Sequence, residues 1–129
     1  MVIAHTGIKV PAADIVAAVK FYEAALAPLG YKKTAVYLNG LVNGFDDGGS
    51  HGADWYVSAA QEGTPVKSHH CFVAKDRATV DAFYKVALEA GGKDNGAPGV
   101  RAHYHKDYYA AFVLDAVGNN IEVVYLGPA

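Results

Sequence analysis

The chain repeats itself, and this limits its possible folds more than any other property. His5-Thr6-Gly7-Ile8-Lys9-Val10 is followed by a stretch ending Phe21-Tyr22-Glu23-Ala24-Ala25-Leu26, then Gly30-Tyr31-Lys32. His69-His70-Cys71-Phe72-Val73-Ala74 is followed in the same way by Phe83-Tyr84-Lys85-Val86-Ala87-Leu88, then Gly92-Lys93-Asp94. In both copies Phe stands five positions before Leu and nine before Gly. The offset is 62 between the helical stretches and 64 between the histidines, so a two-residue length change falls in the turn between them.

Each copy predicts the same elements. Residues 2–10 carry Val2, Ile3, Ile8 and Val10, an apolar β-branched run that reads as a strand. Asp14 is placed to cap the helix that follows, in which Ile15, Val19, Tyr22, Leu26 and Leu29 recur at helical spacing. Pro28 and Gly30 end it. Thr34–Leu38 and Leu41–Phe45 flank Asn39-Gly40, a hairpin signal. Asp46 to Gly52 reads as a glycine-rich turn and Asp54 to Ala60 as another strand. The second copy runs His69–Ala74 as a strand, then a helix capped by Asp76 and carrying Val80, Phe83, Tyr84, Ala87 and Leu88 inward. Asp94–Gly99 reads as a turn, with strands at about 100–105, 109–115 and 120–126. The expectation is an α+β fold of two tandem βαβββ modules, about 1–62 and 66–129, joined by Glu62–Pro65. A module of about 60 residues is marginal alone because it buries too little of its surface. Two of them can form one domain with a curved mixed sheet around a cleft and the helices outside.

Composition supports one globular domain. The 129 residues are 52% hydrophobic and 19% charged, enough apolar material for a core. The net charge of −2 gives no basic surplus for nucleic acid. No apolar run is long enough to cross a membrane, and no signal peptide is read at the start. A single cysteine, Cys71, excludes an internal disulfide and fits a cytoplasmic setting.

Strand alternation predicts which side chains meet in the cleft. In the first strand His5 opposes the parity of Ile8 and Val10. In the fifth, His69 and Cys71 oppose Phe72 and Ala74, while His70 shares the helix-side parity and reads as a hydrogen-bonded core residue. In the last, Glu122 opposes Ile121 and Val123. Two imidazoles and a carboxylate form the minimal protein set for one divalent transition metal, Fe, Mn, Ni or Zn, with positions left open for substrate. A cation would also relieve the cost of a buried Glu. Arg101, His103 and His105 alternate, so on one strand they would share a face. Arg101 could then hold an anionic group and His103 or His105 could act as a base. Cys71 reads as a space-filler.

These residues resemble a known family. The His5 strand, the Phe21-Tyr22 helix, His69, Gly118-Asn119-Asn120-Ile121-Glu122, Asn95-Gly96-Ala97-Pro98-Gly99 and Tyr108-Tyr109-Ala110-Ala111-Phe112-Val113-Leu114-Asp115 are similar to the vicinal oxygen chelate superfamily, in its glyoxalase-like branch. That superfamily includes glyoxalase I, fosfomycin-resistance proteins, extradiol dioxygenases and bleomycin-resistance proteins. The resemblance implies that His5, His69 and Glu122 are the metal ligands. It also implies a homodimer acting on a small-molecule substrate. Where glyoxalase I has a fourth ligand, usually Glu, the repeat aligns Asp54-Trp55-Tyr56 with Asn120-Ile121-Glu122 and puts Tyr56 in the slot. Asp115-Ala116-Val117-Gly118 departs from the family's common Asp-Pro-Asp-Gly turn.

The functional expectation is a metal-dependent isomerase, lyase or dioxygenase that chelates two neighbouring substrate oxygens. Tyr56 and His103 would handle protons, and Trp55, Arg101, His105 and Tyr109 would contact substrate. The alternative is a metal-free small-molecule or drug-binding protein of the bleomycin-resistance type. Trp55 and the tyrosines would then wall its cavity.

Overall fold

The computed structural model describes residues 3–49, 52–60, 63 and 66–129. Val2 of the first expected strand, Ser50 and His51 of the expected Asp46–Gly52 turn, and the linker residues Glu62, Thr64 and Pro65 lie outside the described residues. The chain divides into two compact units, Met1–Val66 and Lys67–Ala129.

The first unit runs β1 (Thr6–Pro11), α1 (Ile15–Ala25), β2 (Lys32–Tyr37), β3 (Val42–Asp46) and β4 (Trp55–Ala60). Its sheet has the order β1-β4-β3-β2, with β1 parallel to β4 and the other pairs antiparallel. Ile8, Val10, Trp55 and Val57 are buried on the α1 side with Val19, Tyr22 and Leu26. Asn39-Gly40 does close the β2–β3 hairpin. Leu38, Asn39 and Gly40 all take positive φ (50°, 55° and 88°), and the Asn43 side-chain amide, 3% exposed, donates to the Gly40 carbonyl at 2.8 Å. Asp14 stands at the N-cap of α1 but makes no side-chain capping bond, because a short 3₁₀ turn over Ala12–Asp14 precedes the helix.

The second unit runs β5 (His69–Val73), α2 (Arg77–Glu89), β6 (Lys93–Val100), β7 (Tyr108–Leu114) and β8 (Asn120–Leu126). Its order is β5-β8-β7-β6, again with one parallel pair, β5–β8. The two copies match in register. Gly7 pairs with Tyr56 in the first as Cys71 pairs with Glu122 in the second. Both units are therefore βαβββ modules of an α+β fold. Among the described residues no helix is long and apolar enough to cross a membrane.

Two expected boundaries in the second unit need correction. The stretch read as a turn, Asp94–Gly99, lies inside edge strand β6. Its register shifts on either side of Gly96, and an edge tolerates Pro98 and bulges of this kind. The strand expected at 100–105 is instead a turn over residues 101–107, where the Tyr104 N–H donates to the Arg101 carbonyl at 2.9 Å.

α2 starts as expected. The Asp76 carboxylate accepts from the Thr79 N–H at 2.8 Å and from the Thr79 hydroxyl at 2.6 Å. The Thr79 hydroxyl and backbone bonds hold the Asp76 carboxyl below its ordinary range, with Lys75 adding to the effect. A depressed folded-state pKa stabilises the fold above the unfolded value and stops doing so as pH falls through the folded one. In an acid titration of helical circular dichroism, Asp76→Asn should therefore unfold with a flatter dependence below pH ~4 than the parent chain.

Candidate functional site

In each sheet the helix covers one face and the chemistry-bearing residues take the other. In the first unit His5, Gly7, Lys9, Val42, Tyr56 and Ser58 line a groove of about 340 Å³ on the face away from α1. His5 precedes β1 and is exposed; its ring meets Tyr56 edge-on, with centroids 5.5 Å apart. The structure therefore brings together two residues expected at the site. Gly7 is required between them, because a Cβ there would lie 2.2 Å from the Tyr56 carbonyl oxygen.

Trp55 is a correction. It points to the opposite face, is 1% exposed and packs against Tyr22 with ring centroids 5.5 Å apart. It belongs to the core under α1 and cannot wall a cavity on the other face. One residue of slip in a strand exchanges faces, and β4 settles the parity with Trp55 and Val57 inward and Tyr56 outward.

In the second unit the face away from α2 holds His69, Cys71, Tyr108, Phe112, Asn120 and Glu122. Glu122 is 3% exposed, yet both of its oxygens are engaged. Oε1 accepts from the Tyr108 hydroxyl at 2.6 Å, and Oε2 lies 3.0 Å from His69 Nε2. The other imidazole nitrogen, Nδ1, is 3.0 Å from the Asn120 carbonyl oxygen. A carbonyl only accepts, so Nδ1 carries the proton and Nε2 is the nitrogen that faces Glu122. Burial and the carboxylate of Glu122 raise the Tyr108 hydroxyl well above its ordinary range. The same two causes push the Cys71 thiol up to about 12, so it remains a protonated thiol at neutral pH.

The turn before β8 fixes this pair in place. Asp115 accepts from the Val117 and Asn119 backbone N–H groups and from the Asn119 side-chain amide. Asn119, 1% exposed, accepts in turn from the Ser68 N–H and hydroxyl. One network thus sets the starts of β5 and β8, one residue before His69 and three before Glu122. His70 takes the other face of β5, half-buried, with Nε2 3.0 Å from the Ser68 hydroxyl, and burial lowers its pKa.

The remaining expected site residues separate. Tyr109 faces α2, which corrects its expected substrate contact: its hydroxyl donates to Asp81 at 2.7 Å and Arg77 sits 4.8 Å from its ring centroid. The shared strand face of Arg101, His103 and His105 does not exist, because residues 101–107 turn. His103 lies exposed against Tyr104, with centroids 4.1 Å apart, and His105 Nδ1 accepts from the Asp107 N–H at 3.2 Å. Arg101 folds back over the Phe112 ring, 5.5 Å from its centroid. Tyr108 was not anticipated in any role. The alternation of Tyr108, Ala110 and Phe112 against Ala111 and Val113 holds the signal that places it beside Glu122. Among the described residues no group of three His, Cys, Asp or Glu side chains is placed to hold a metal ion.

Residues 2–123 match the family model of the Glyoxalase/Bleomycin resistance protein/Dioxygenase superfamily. The chain belongs to that superfamily. No curated protein matches it. Solved structures share the fold. A glyoxalase/bleomycin resistance protein from Albidiferax ferrireducens is 23% identical, covers 95% of this chain and 98% of its own, and superposes with a TM-score of 0.75. A glyoxalase/bleomycin resistance protein/dioxygenase family enzyme from Burkholderia phytofirmans is 21% identical, with 98% and 100% coverage and a TM-score of 0.72. TioX from a Micromonospora species is 15% identical, with 95% and 98% coverage and a TM-score of 0.70.

Proposed function

We propose that this superfamily member is a divalent-metal-dependent enzyme acting on a small substrate that presents two neighbouring oxygens. His69 and Glu122, in one unit, would supply two ligands, and the sequence repeat assigns a third to His5. The supporting observation is the contact between His69 Nε2 and Glu122 Oε2 at 3.0 Å. With Nδ1 committed to the Asn120 carbonyl, Nε2 is the imidazole atom turned to the Glu122 carboxylate. Two acceptors this close need either a proton on Nε2, shared with Oε2, or a metal cation lying beside both atoms at bonding distance from each. The donor types suit Fe, Mn, Ni or Zn. When bound, such an ion would supply Lewis-acid stabilisation of negative charge developing on substrate oxygen. The chain's own part is to fix the imidazole tautomer through Asn120, to hold the second carboxylate oxygen through Tyr108, and to offer Tyr56 beside His5 as a proton carrier. Isomerase, lyase and dioxygenase chemistry share these requirements. His103, exposed against Tyr104, is the other candidate proton carrier.

One observation favours a second reading, a metal-free small-molecule binder. Both oxygens of Glu122 already have partners, so its burial needs no cation if His69 is protonated. Metal analysis of the protein loaded in turn with Fe(II), Mn(II), Ni(II) and Zn(II) separates the two. The enzyme reading expects close to one ion per chain, lost in both His5→Ala and His69→Ala. Absence of metal from the parent chain under all four conditions would leave the binder. A homodimer in the cytoplasm completes the reading, supported by the superfamily assignment and the single cysteine.

A further inference from the structure

We propose that Arg101 is the anchor for an anionic oxygen group, so that the substrate class is a small organic oxyanion. This rests on the reading above and deepens it. Arg101 lies just beyond β6, and its guanidinium has two contacts. Nη2 donates to the Ala97 carbonyl at 2.7 Å, and the group lies over Phe112. Two glycines of β6 make room for it. A Cβ at Gly96 would come 3.2 Å from Nη2 and 3.0 Å from the Phe112 ring. A Cβ at Gly99 would come 3.0 Å from Nη1.

What this arrangement leaves over points to a ligand. A guanidinium has five N–H donors. One is spent on Ala97, and the ion pairs of the described residues include no carboxylate on Arg101. A planar fork held by packing loses little entropy when it binds, and it matches a carboxylate or a phosphonate through two parallel hydrogen bonds. The anchor is also close to the polar pair. Phe112 pairs with Glu122 across β7 and β8, and its ring stacks near His69 with centroids 6.4 Å apart. The guanidinium and the imidazole are therefore separated by no more than those two ring distances together. Phe112 thus lies in contact range of both Arg101 and His69, so an anion held by Arg101 would sit on the sheet face that carries His69 and Glu122.

The test is a titration of the folded protein with glycolate, methylphosphonate and the neutral glycolamide, read at the Arg101 Nε–H resonance. The metal content of each sample is measured alongside. Saturable shifts with glycolate or with methylphosphonate, but not with glycolamide, support the anchor, and the tighter anion identifies the group. Arg101→Lys keeps the charge without the fork and should weaken that binding roughly 10–100-fold by calorimetry, the loss expected for charge-assisted hydrogen bonds. Gly99→Ala is the more selective variant. The atom its Cβ meets is the far end of the Arg101 side chain rather than backbone, so the fold should be kept while the guanidinium is displaced and the affinity falls. Equal affinity in the parent chain, Arg101→Lys and Gly99→Ala overturns the proposal, as does an absence of saturable binding. Anion binding that needs Arg101 in a chain that takes up no metal would keep the anchor and remove the metal reading. Metal uptake with no dependence of anion binding on Arg101 would do the reverse.

Discussion

Glu122→Gln is expected to abolish divalent-metal binding while leaving the chain folded. The amide has the shape of the carboxylate, and its oxygen can still accept from the Tyr108 hydroxyl. Its nitrogen can donate to His69 Nε2, so the neutral imidazole no longer faces a second acceptor. The substitution removes a charge that is costly in a side chain only 3% exposed, and it gives up the charge-assisted bond from the Tyr108 hydroxyl. These changes oppose each other, so thermal stability should move by no more than about 1 kcal/mol. Metal affinity has no such compensation, because an amide is a poor partner for a transition metal compared with a carboxylate. Chelator-competition titrations should show a loss larger than that of Tyr108→Phe. The latter removes only an outer partner of the ligand, a change that typically costs about 10–100-fold. If Glu122→Gln retained the parent affinity, Glu122 would not be a ligand. If Tyr108→Phe lost more than Glu122→Gln, the order of the two shells would be wrong.

The internal repeat made the architecture legible because it is written in positions that packing constrains. Phe21 and Phe83, with the apolar residues around them, must face a sheet, and Asn39-Gly40 has few alternatives to a tight turn. The faces of His69 and Glu122 were legible for a related reason: Phe72, Ile121 and Val123 alternate against them strongly enough to fix the parity of β5 and β8. Parity became unreliable where the local pattern imitated something else. Arg-Ala-His-Tyr-His alternates in type as a half-exposed strand would, but the Arg101 carbonyl is captured by the Tyr104 N–H and the backbone turns. Asn-Gly-Ala-Pro-Gly has the composition of a loop. An edge strand accepts it because one side of its ladder has no partner to lose, and the bulges at Gly96 let the Arg101 side chain lie back across the sheet. Tyr109 was misread because its neighbour Tyr108 has the same side chain on the opposite face. Tyr109 shares the parity of Ala111 and Val113, on the α2 side, whereas Tyr108 shares that of Phe112, which pairs with Glu122.

Trp55→Ala should cost about 3–5 kcal/mol, the range for deleting a large buried aromatic. Trp55 is 1% exposed and meets Tyr22, itself fully buried, beneath α1. Removal of the indole would open a cavity between helix and sheet that the alanines of α1 cannot fill. In a unit of this size such a loss is a large part of a typical domain's stability, so urea unfolding should show the first module weakened or already unfolded at 25 °C. Trp55→Phe, which keeps most of the volume, should cost much less. Trp55 is also the chain's only tryptophan, which gives the assignment an independent optical readout. Emission from the native parent chain should be blue-shifted and poorly quenched by acrylamide, and any ligand bound on the opposite face should change it little. Red-shifted emission that is strongly quenched on adding glycolate or methylphosphonate would place the indole at the site after all. A stability loss near zero in Trp55→Ala would show that the core beneath α1 is held by the other aromatic rings.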